Sequence, residues 1–203
     1  MEARVLACLL EKEITTPEYY PMSLNALVNA CNQKSNRDPV VSYDDDAVEE
    51  VLEALRAKGL AVRTTGAGSR VPKHSHRLGE RLNLGRREMA ILCELMLRGP
   101  QTVGELRNRA DRMHPFDDLQ EVELVLERLA AREEGALALK LSKRPGEKEC
   151  RYTHLLCGAP SLDPHSGEEE AQASHSRVDR LAALEVEVAR LRQDFDEFRK
   201  KFE

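Results

Sequence analysis

The sequence predicts a mainly α protein with small β hairpins, an α+β chain of two tandem winged helix-turn-helix domains followed by a coiled-coil-like helix. Three observations lead there. Val48-Glu-Glu-Val-Leu-Glu-Ala-Leu55 recurs as Val122-Glu-Leu-Val-Leu-Glu-Arg-Leu129, agreeing at six of eight positions. Both copies lie between a capped helix upstream and a short apolar strand downstream. Aromatic residues make up 4% of the 203 residues and Trp is absent, while 41% are hydrophobic. Aliphatic helical packing suits that composition better than a large all-β sandwich.

Each element follows in order. Val5 to Leu10 and Met89 to Leu95 are amphipathic openings of a first helix. Ser23-Leu-Asn-Ala-Leu27 resembles Thr102-Val-Gly-Glu-Leu106, a hydroxyl cap ahead of a second helix. The recurring segment is a third helix. It starts after Asp44-Asp45-Asp46 in one copy and Asp117-Asp118 in the other, where carboxylates meet the positive end of the helix dipole. Strands follow at Leu60–Thr64 and Leu137–Leu141, then the turns Thr65–Arg70 and Lys143–Lys148, and in the second copy a returning strand at Cys150–Leu155. Gly66, Gly68 and Gly146 supply the positive φ that hairpin turns require. At roughly 80 residues per copy the unit is a small domain, not a solenoid repeat. The expected organisation is residues 1–80 and 81–158 as winged-helix domains joined near Arg77–Gly85, 159–176 as an acidic flexible linker, and 177–203 as an amphipathic helix.

The stretch Thr16-Pro-Glu-Tyr-Tyr-Pro-Met-Ser-Leu-Asn-Ala-Leu-Val-Asn-Ala-Cys-Asn-Gln-Lys-Ser-Asn-Arg-Asp-Pro-Val40 resembles the signature of the YceH family of uncharacterised bacterial proteins. Leu97–Thr102, Gly104–Arg107 and Arg151–His154 resemble the same family, so the likeness covers about residues 1–158. It implies a tandem winged-helix fold and brings no assigned activity.

Charge is distributed unevenly within a net of −5. Residues 1–60 are net acidic, whereas Arg63, Arg70, Lys73, Arg77, Arg81, Arg86 and Arg87 face only Glu80 within 61–87. A protein held to DNA by bulk charge would be basic overall, so any contact with nucleic acid must come from such a local patch. Base-reading helices ordinarily offer Arg, Lys, Asn or Gln. Here the third helices carry Asp44, Asp45, Asp46, Glu49, Glu50 and Glu53 in one copy and Asp117, Asp118, Glu121, Glu123 and Glu127 in the other. Phosphates repel that density of carboxylates, which argues against ordinary major-groove readout; the acids also read as a solvated helix face favoured by the dipole. The candidate DNA-contacting residues are therefore Arg63, Arg70, Lys73 and Arg77 around the first wing, with Lys34 and Arg37 from the Asn32–Pro39 loop. Two readings of the wing stand: its cations lie along phosphates, or they pair with acidic helices of their own chain. The loop likewise either grips a phosphate or a partner's backbone, or shapes a turn through its Asn, Ser and Asp side chains.

In the tail, Leu181, Leu184, Val188, Leu191, Phe195, Phe198 and Phe202 alternate at spacings of three and four, a heptad seam. In a parallel pair Arg180 meets Glu185, Glu187 meets Arg192 and Asp194 meets Arg199, all opposite in sign. A parallel homodimer is expected, with docking back onto the chain's own apolar surface as the other reading.

Other classes fit poorly. His74-Ser-His76 and the Cys150, His154, Cys157 group lack zinc-site spacing; no phosphate loop, nucleophile elbow or HExxH helix occurs. No enzyme activity, metal or cofactor is expected. Five scattered cysteines without CxxC read as reduced thiols of a cytoplasmic protein, and neither a signal peptide nor a membrane span is expected. Two functions follow: a DNA-associated, transcription-regulator-like dimer touching backbone through its basic wing, or a protein-interaction adaptor using the acidic helix faces without nucleic acid.

Overall fold

The computed structural model of the chain describes residues 1–65, 71–143 and 146–158. Arg70, the linker and the whole heptad seam from Leu181 to Phe202 lie outside the described residues. The order is α1 (Glu2–Thr15), a 3-10 turn (Pro17–Tyr19), α2 (Leu24–Cys31), α3 (Asp45–Ala57), β1 (Ala61–Thr64) and β2 (Lys73–His76). Then follow α4 (Leu78–Leu82), α5 (Arg86–Arg98), α6 (Val103–Ala110), α7 (Leu119–Ala130), β3 (Ala138–Lys140) and β4 (Tyr152–His154). The chain is thus α+β, with two small antiparallel hairpins among the described residues.

The caps sit where hydroxyls and carboxylates invite them. Ser23 Oγ accepts from Ala26 N at 3.3 Å, and Asp44 Oδ1 accepts from Ala47 N at 2.9 Å. Thr102 and Glu105 form a reciprocal capping box, and Asp118 Oδ1 accepts from Glu121 N at 2.8 Å. Each supplies an acceptor to an otherwise orphaned amide in a first helical turn.

In the first hairpin Ala61 pairs with His76 and Thr64 with Lys73; in the second Ala138 pairs with His154 and Lys140 with Tyr152. Both hairpins gain a third backbone rung that the sequence did not announce. Met22 and His74 exchange amide bonds of 3.0 and 2.7 Å, and Gln101 and Tyr152 exchange bonds of 3.0 and 2.8 Å. Met22 and Gln101 both stand just before the cap of their copy's second helix, so the two copies match in this detail too.

The recurring segment buries equivalent residues: Val48, Leu52 and Leu55 on α3, and Val122, Leu126 and Leu129 on α7. Their 3.6-residue spacing puts all three on one helical stripe. Residues 4–11 of α1 and 90–97 of α5 are buried without interruption, and these two helices pack on each other. Helices buried on every side belong at the centre of a core. Consequently Met1–Pro160 is one compact unit with a core drawn from both copies, and the boundary expected at residues 80–81 falls inside α4 of that unit. No helix among the described residues is long and apolar enough to cross a membrane.

Candidate functional site

The basic segment after α3 divides into cations that have acidic partners and cations that have none. Arg63 is exposed on β1, opposite His74, and Lys73 is half-buried opposite Thr64. Among the described residues neither forms an ion pair. By contrast Arg77, at the start of α4, lies 3.4 Å from Glu80, Arg87 lies 3.0 Å from Glu121, and Arg86 Nε donates to the Met113 carbonyl at 3.2 Å. Pairing with carboxylates of the same chain therefore holds for Arg77 and Arg87. The ion-paired cations, Arg77 and Arg87, sit on the connection, where Arg81 is exposed and without an ion pair among the described residues.

Under the hairpin, His74 is buried, and Nδ1 of its ring has no hydrogen-bond partner. Burial and the neighbouring Arg63 charge hold it below the ordinary imidazole range, so it adds no positive charge at neutral pH. Its neighbour in sequence, His76, is tied elsewhere, with Nε2 2.8 Å from Glu13 and Nδ1 accepting from Leu78 N at 3.1 Å. Glu53, Arg56, Ala57, Ala61, Val62 and Arg63 line an open groove between the end of α3 and β1. Arg56 pairs with Glu53, and Lys58 lies 2.6 Å from Glu2, so the basic end of α3 is neutralised. Asp44, Asp45, Asp46, Glu49, Glu50 and Glu53 are exposed, which leaves the solvent face of α3 acidic.

The Asn32–Pro39 loop requires a correction. Lys34 is exposed, but Arg37 is no surface group: its side chain is 0% exposed, with Nη2 2.6 Å from Glu11 Oε2. Its Nε and Nη2 also donate to the Ala30 carbonyl at 3.2 and 3.0 Å. Every direction in which the guanidinium could meet a phosphate is filled from within, so Arg37 leaves the set of candidate DNA contacts. The same loop binds the second copy. Asn36 Nδ2 donates to both oxygens of Glu94 at 3.1 Å, and Asp38 N donates to the Leu97 carbonyl at 2.9 Å. Asn32 donates to the Tyr43 carbonyl and accepts from its amide, 2.8 Å each way. The contacts to Glu94 and Leu97 make the loop a clamp between copies.

That clamp belongs to a buried charge cluster that sequence reasoning missed. Glu11 on α1 and Glu94 on α5 are fully buried, and Arg112 Nη2 bonds Glu11 Oε1 and lies 3.3 Å from Glu94 Oε1. Burial pushes Glu11 up, but the hydrogen bond and charge of Arg37, with Arg112, outweigh it and hold the carboxyl below its usual range. For Glu94 burial wins over Arg112 and Asn36, and its carboxyl is raised. A signal existed: Glu94 interrupts the apolar run from Ile91 to Leu97, and Glu11 directly follows Leu9-Leu10. An ionisable group inside a buried helical stretch demands a partner.

The second hairpin is arranged differently. Lys140 Nζ lies 5.7 Å from the centroid of the Tyr152 ring, a cation–π distance. Arg151 is bound to Glu105 at 2.8 Å and Glu147 at 3.2 Å. Val103, Leu119, Glu123, Lys140, Glu149 and Tyr152 are among the residues lining a groove of mixed polarity.

The chain matches the family described as "Protein of unknown function, DUF480" over residues 1–147. A UPF0502 protein of Solibacter usitatus is 55% identical over 202 residues, spanning all of this chain and 96% of that protein. One from Geobacter sulfurreducens is 49% identical over all of this chain and 97% of its own length. Another from Opitutus terrae is 50% identical over 95% of this chain and 82% of its own. These matches include the Thr16–Val40 stretch on which the sequence resemblance rests, and the chain belongs to this uncharacterised DUF480 family.

Proposed function

We propose that the protein is a DNA-associated, transcription-regulator-like homodimer with no enzyme activity. Each copy acts as a winged helix-turn-helix, and the heptad tail pairs two chains in parallel. Contact is to the phosphate backbone through the first wing, by Arg63 and Lys73 with Arg70 between them in sequence, and base readout is slight. The observation that carries this reading is the partition of cations. Arg63 and Lys73 stand on one hairpin with no acidic partner among the described residues, while on the connection Arg77 and Arg87 are ion-paired and Arg81 is not. An unpaired cation keeps its full charge for an incoming phosphate, and each such contact releases a counterion.

Titration of a non-specific duplex at two salt concentrations tests it. Affinity is expected to fall steeply with salt, and Arg63→Ala combined with Lys73→Ala is expected to lower the log–log slope by about two, at about 0.9 per contact. Absence of binding at low salt rejects the reading. The exposed carboxylates of α3 favour a second one, a protein adaptor that holds basic partners and no nucleic acid. That reading gains if the double variant leaves the chain's behaviour toward duplex unchanged.

A further inference from the structure

We propose that the groove beside the second hairpin binds a small zwitterion, an α-amino acid with an aliphatic side chain. Three elements converge on it. Val103 opens α6, Leu119 opens α7, and Lys140 and Tyr152 stand opposite each other on β3 and β4. Leu119, Glu123, Lys140 and Glu149 are all exposed, so a ligand reaches the groove directly from solvent. Its volume is about 270 Å³, just under the roughly 300–1,000 Å³ of sites for drug-sized molecules, which sets the ligand's size.

The lining charges are of both signs and stay unmatched. Lys140, Glu123 and Glu149 form no ion pair among the described residues. Elsewhere in this copy, close carboxylates and cations do pair: Arg151 with Glu105 and Glu147, Arg109 with Glu105 at 3.3 Å, and Arg87 with Glu121. The register explains the exception. Lys140 stands opposite Tyr152, and its Nζ is held 5.7 Å from the centroid of that ring, out of ion-pair reach of the carboxylates. Glu123 lies one turn beyond Leu119 on the same face of α7, and Glu149 lies just ahead of β4. Charges that share a groove without neutralising each other can receive the two opposite charges of one molecule. The α-carboxylate goes to Lys140 and the α-ammonium to Glu123 and Glu149. Val103, Leu119 and the Tyr152 ring give its side chain apolar surface.

The first copy has the same frame without the same free charges. Tyr152 exchanges backbone bonds with Gln101 as His74 does with Met22, so the pair Lys140–Tyr152 is the counterpart of Arg63–His74. In that groove Glu53, the lining carboxylate among the described residues, is already taken by Arg56. An ammonium group finds no free partner there. Other ligand classes fit the second groove less well. A phosphate is repelled by Glu123 and Glu149, and a simple amine leaves Lys140 unmatched.

Calorimetric titration of the full chain with L-leucine tests this, and saturable binding is expected. N-acetyl-L-leucine lacks the ammonium, L-leucinamide lacks the carboxylate, and glycine lacks the side chain. Each should bind at least about tenfold more weakly. Cys150 lines the groove and is half-buried, whereas Cys157 is exposed and is not among the lining residues. L-leucine should therefore slow alkylation of Cys150 by iodoacetamide and leave Cys157 unchanged. Lys140→Met, and Glu123→Gln combined with Glu149→Gln, should each weaken L-leucine binding by at least about tenfold while the thermal transition stays in place. Absence of saturable binding, capped analogues that bind as well as L-leucine, an unprotected Cys150, or variants that bind like the native chain would overturn the proposal. None of these readouts involves DNA, so the site and the proposed backbone contact stand or fall separately.

Discussion

The two copies share a buried frame and differ in what their hairpins offer to solvent. Val48, Leu52 and Leu55 of α3 answer to Val122, Leu126 and Leu129 of α7, and the Met22–His74 rung answers to Gln101–Tyr152. Above that frame the first hairpin leaves Arg63 and Lys73 without acidic partners among the described residues. The second lays Lys140 beside Tyr152 and binds Arg151 to Glu105 and Glu147. Packing constrains apolar spacing tightly, because a lost methylene leaves a cavity. It constrains exposed cations hardly at all, so duplicated units can diverge there at little cost. Under the proposed function the anion-facing role falls to the first hairpin, and the cluster of Glu11, Arg37, Glu94 and Arg112 lies at the seam where the copies join.

Breaking that seam has the largest expected effect. Arg37→Met leaves Glu11 buried with Arg112 and Lys12 as its remaining close cations, and removing one partner of a buried pair costs about 3–5 kcal/mol. Urea denaturation should show that loss, and adding Glu11→Leu should recover much of it, since an apolar pair replaces the uncompensated charge. A loss below about 1 kcal/mol, within the range of exposed pairs, would mean that the cluster does not hold the copies together. Leu52→Ala and Leu126→Ala come next, each at about 2–5 kcal/mol. Because the core is drawn from both copies, both variants should lower one and the same cooperative transition. Two separate transitions would show independent domains after all.

The elements were legible where period and caps speak together. Ser23, Asp44, Thr102 and Asp118 each cap the helix expected after them, and the recurring segment marks the two helices that carry equivalent buried stripes. Strands were read one to three residues too long, because an apolar run does not say where a partner strand stops. The seam was not legible. Arg37 reads in sequence as one more cation in a polar loop, and only the packing of α1 beneath α2 brings Glu11 to it. The same limit hid Arg112, whose carboxylate partners are 101 and 18 residues away. Long-range charge pairing leaves no local pattern, whereas helix caps and hairpin turns act within a few residues.

A pH series sharpens the seam further. Glu94 is raised in the fold, so its contribution is greatest below the ordinary carboxyl range and declines as pH rises through its raised folded value. Glu11 is lowered and runs the other way: its contribution is present above the ordinary range and is lost as pH falls through its folded value. Glu94→Gln removes the first dependence and leaves the second. Relative to the native chain, the variant's stability should therefore improve as pH rises from about 4, near the unfolded carboxyl value, toward neutrality. A difference that stays flat or reverses between two urea curves at those pH values contradicts the burial of an ionisable Glu94.

The smallest expected effect bears most directly on the contrast between hairpins. Arg63→Ala removes an exposed side chain without an ion-pair partner among the described residues, and stability should move by less than about 0.5 kcal/mol. Arg151→Ala removes contacts to Glu105, Glu147 and the Pro100 carbonyl and should cost more, up to about 1 kcal/mol for partly exposed pairs. Duplex binding should rank the two in the opposite order. Arg63→Ala lowers the salt slope, whereas Arg151→Ala leaves it unchanged because its charge is already matched by carboxylates. Stability and binding thus separate a cation that faces outward from one that serves the fold. If Arg151→Ala lowers the slope as much as Arg63→Ala, the copies present equivalent surfaces, and the assignment of backbone contact to the first hairpin fails.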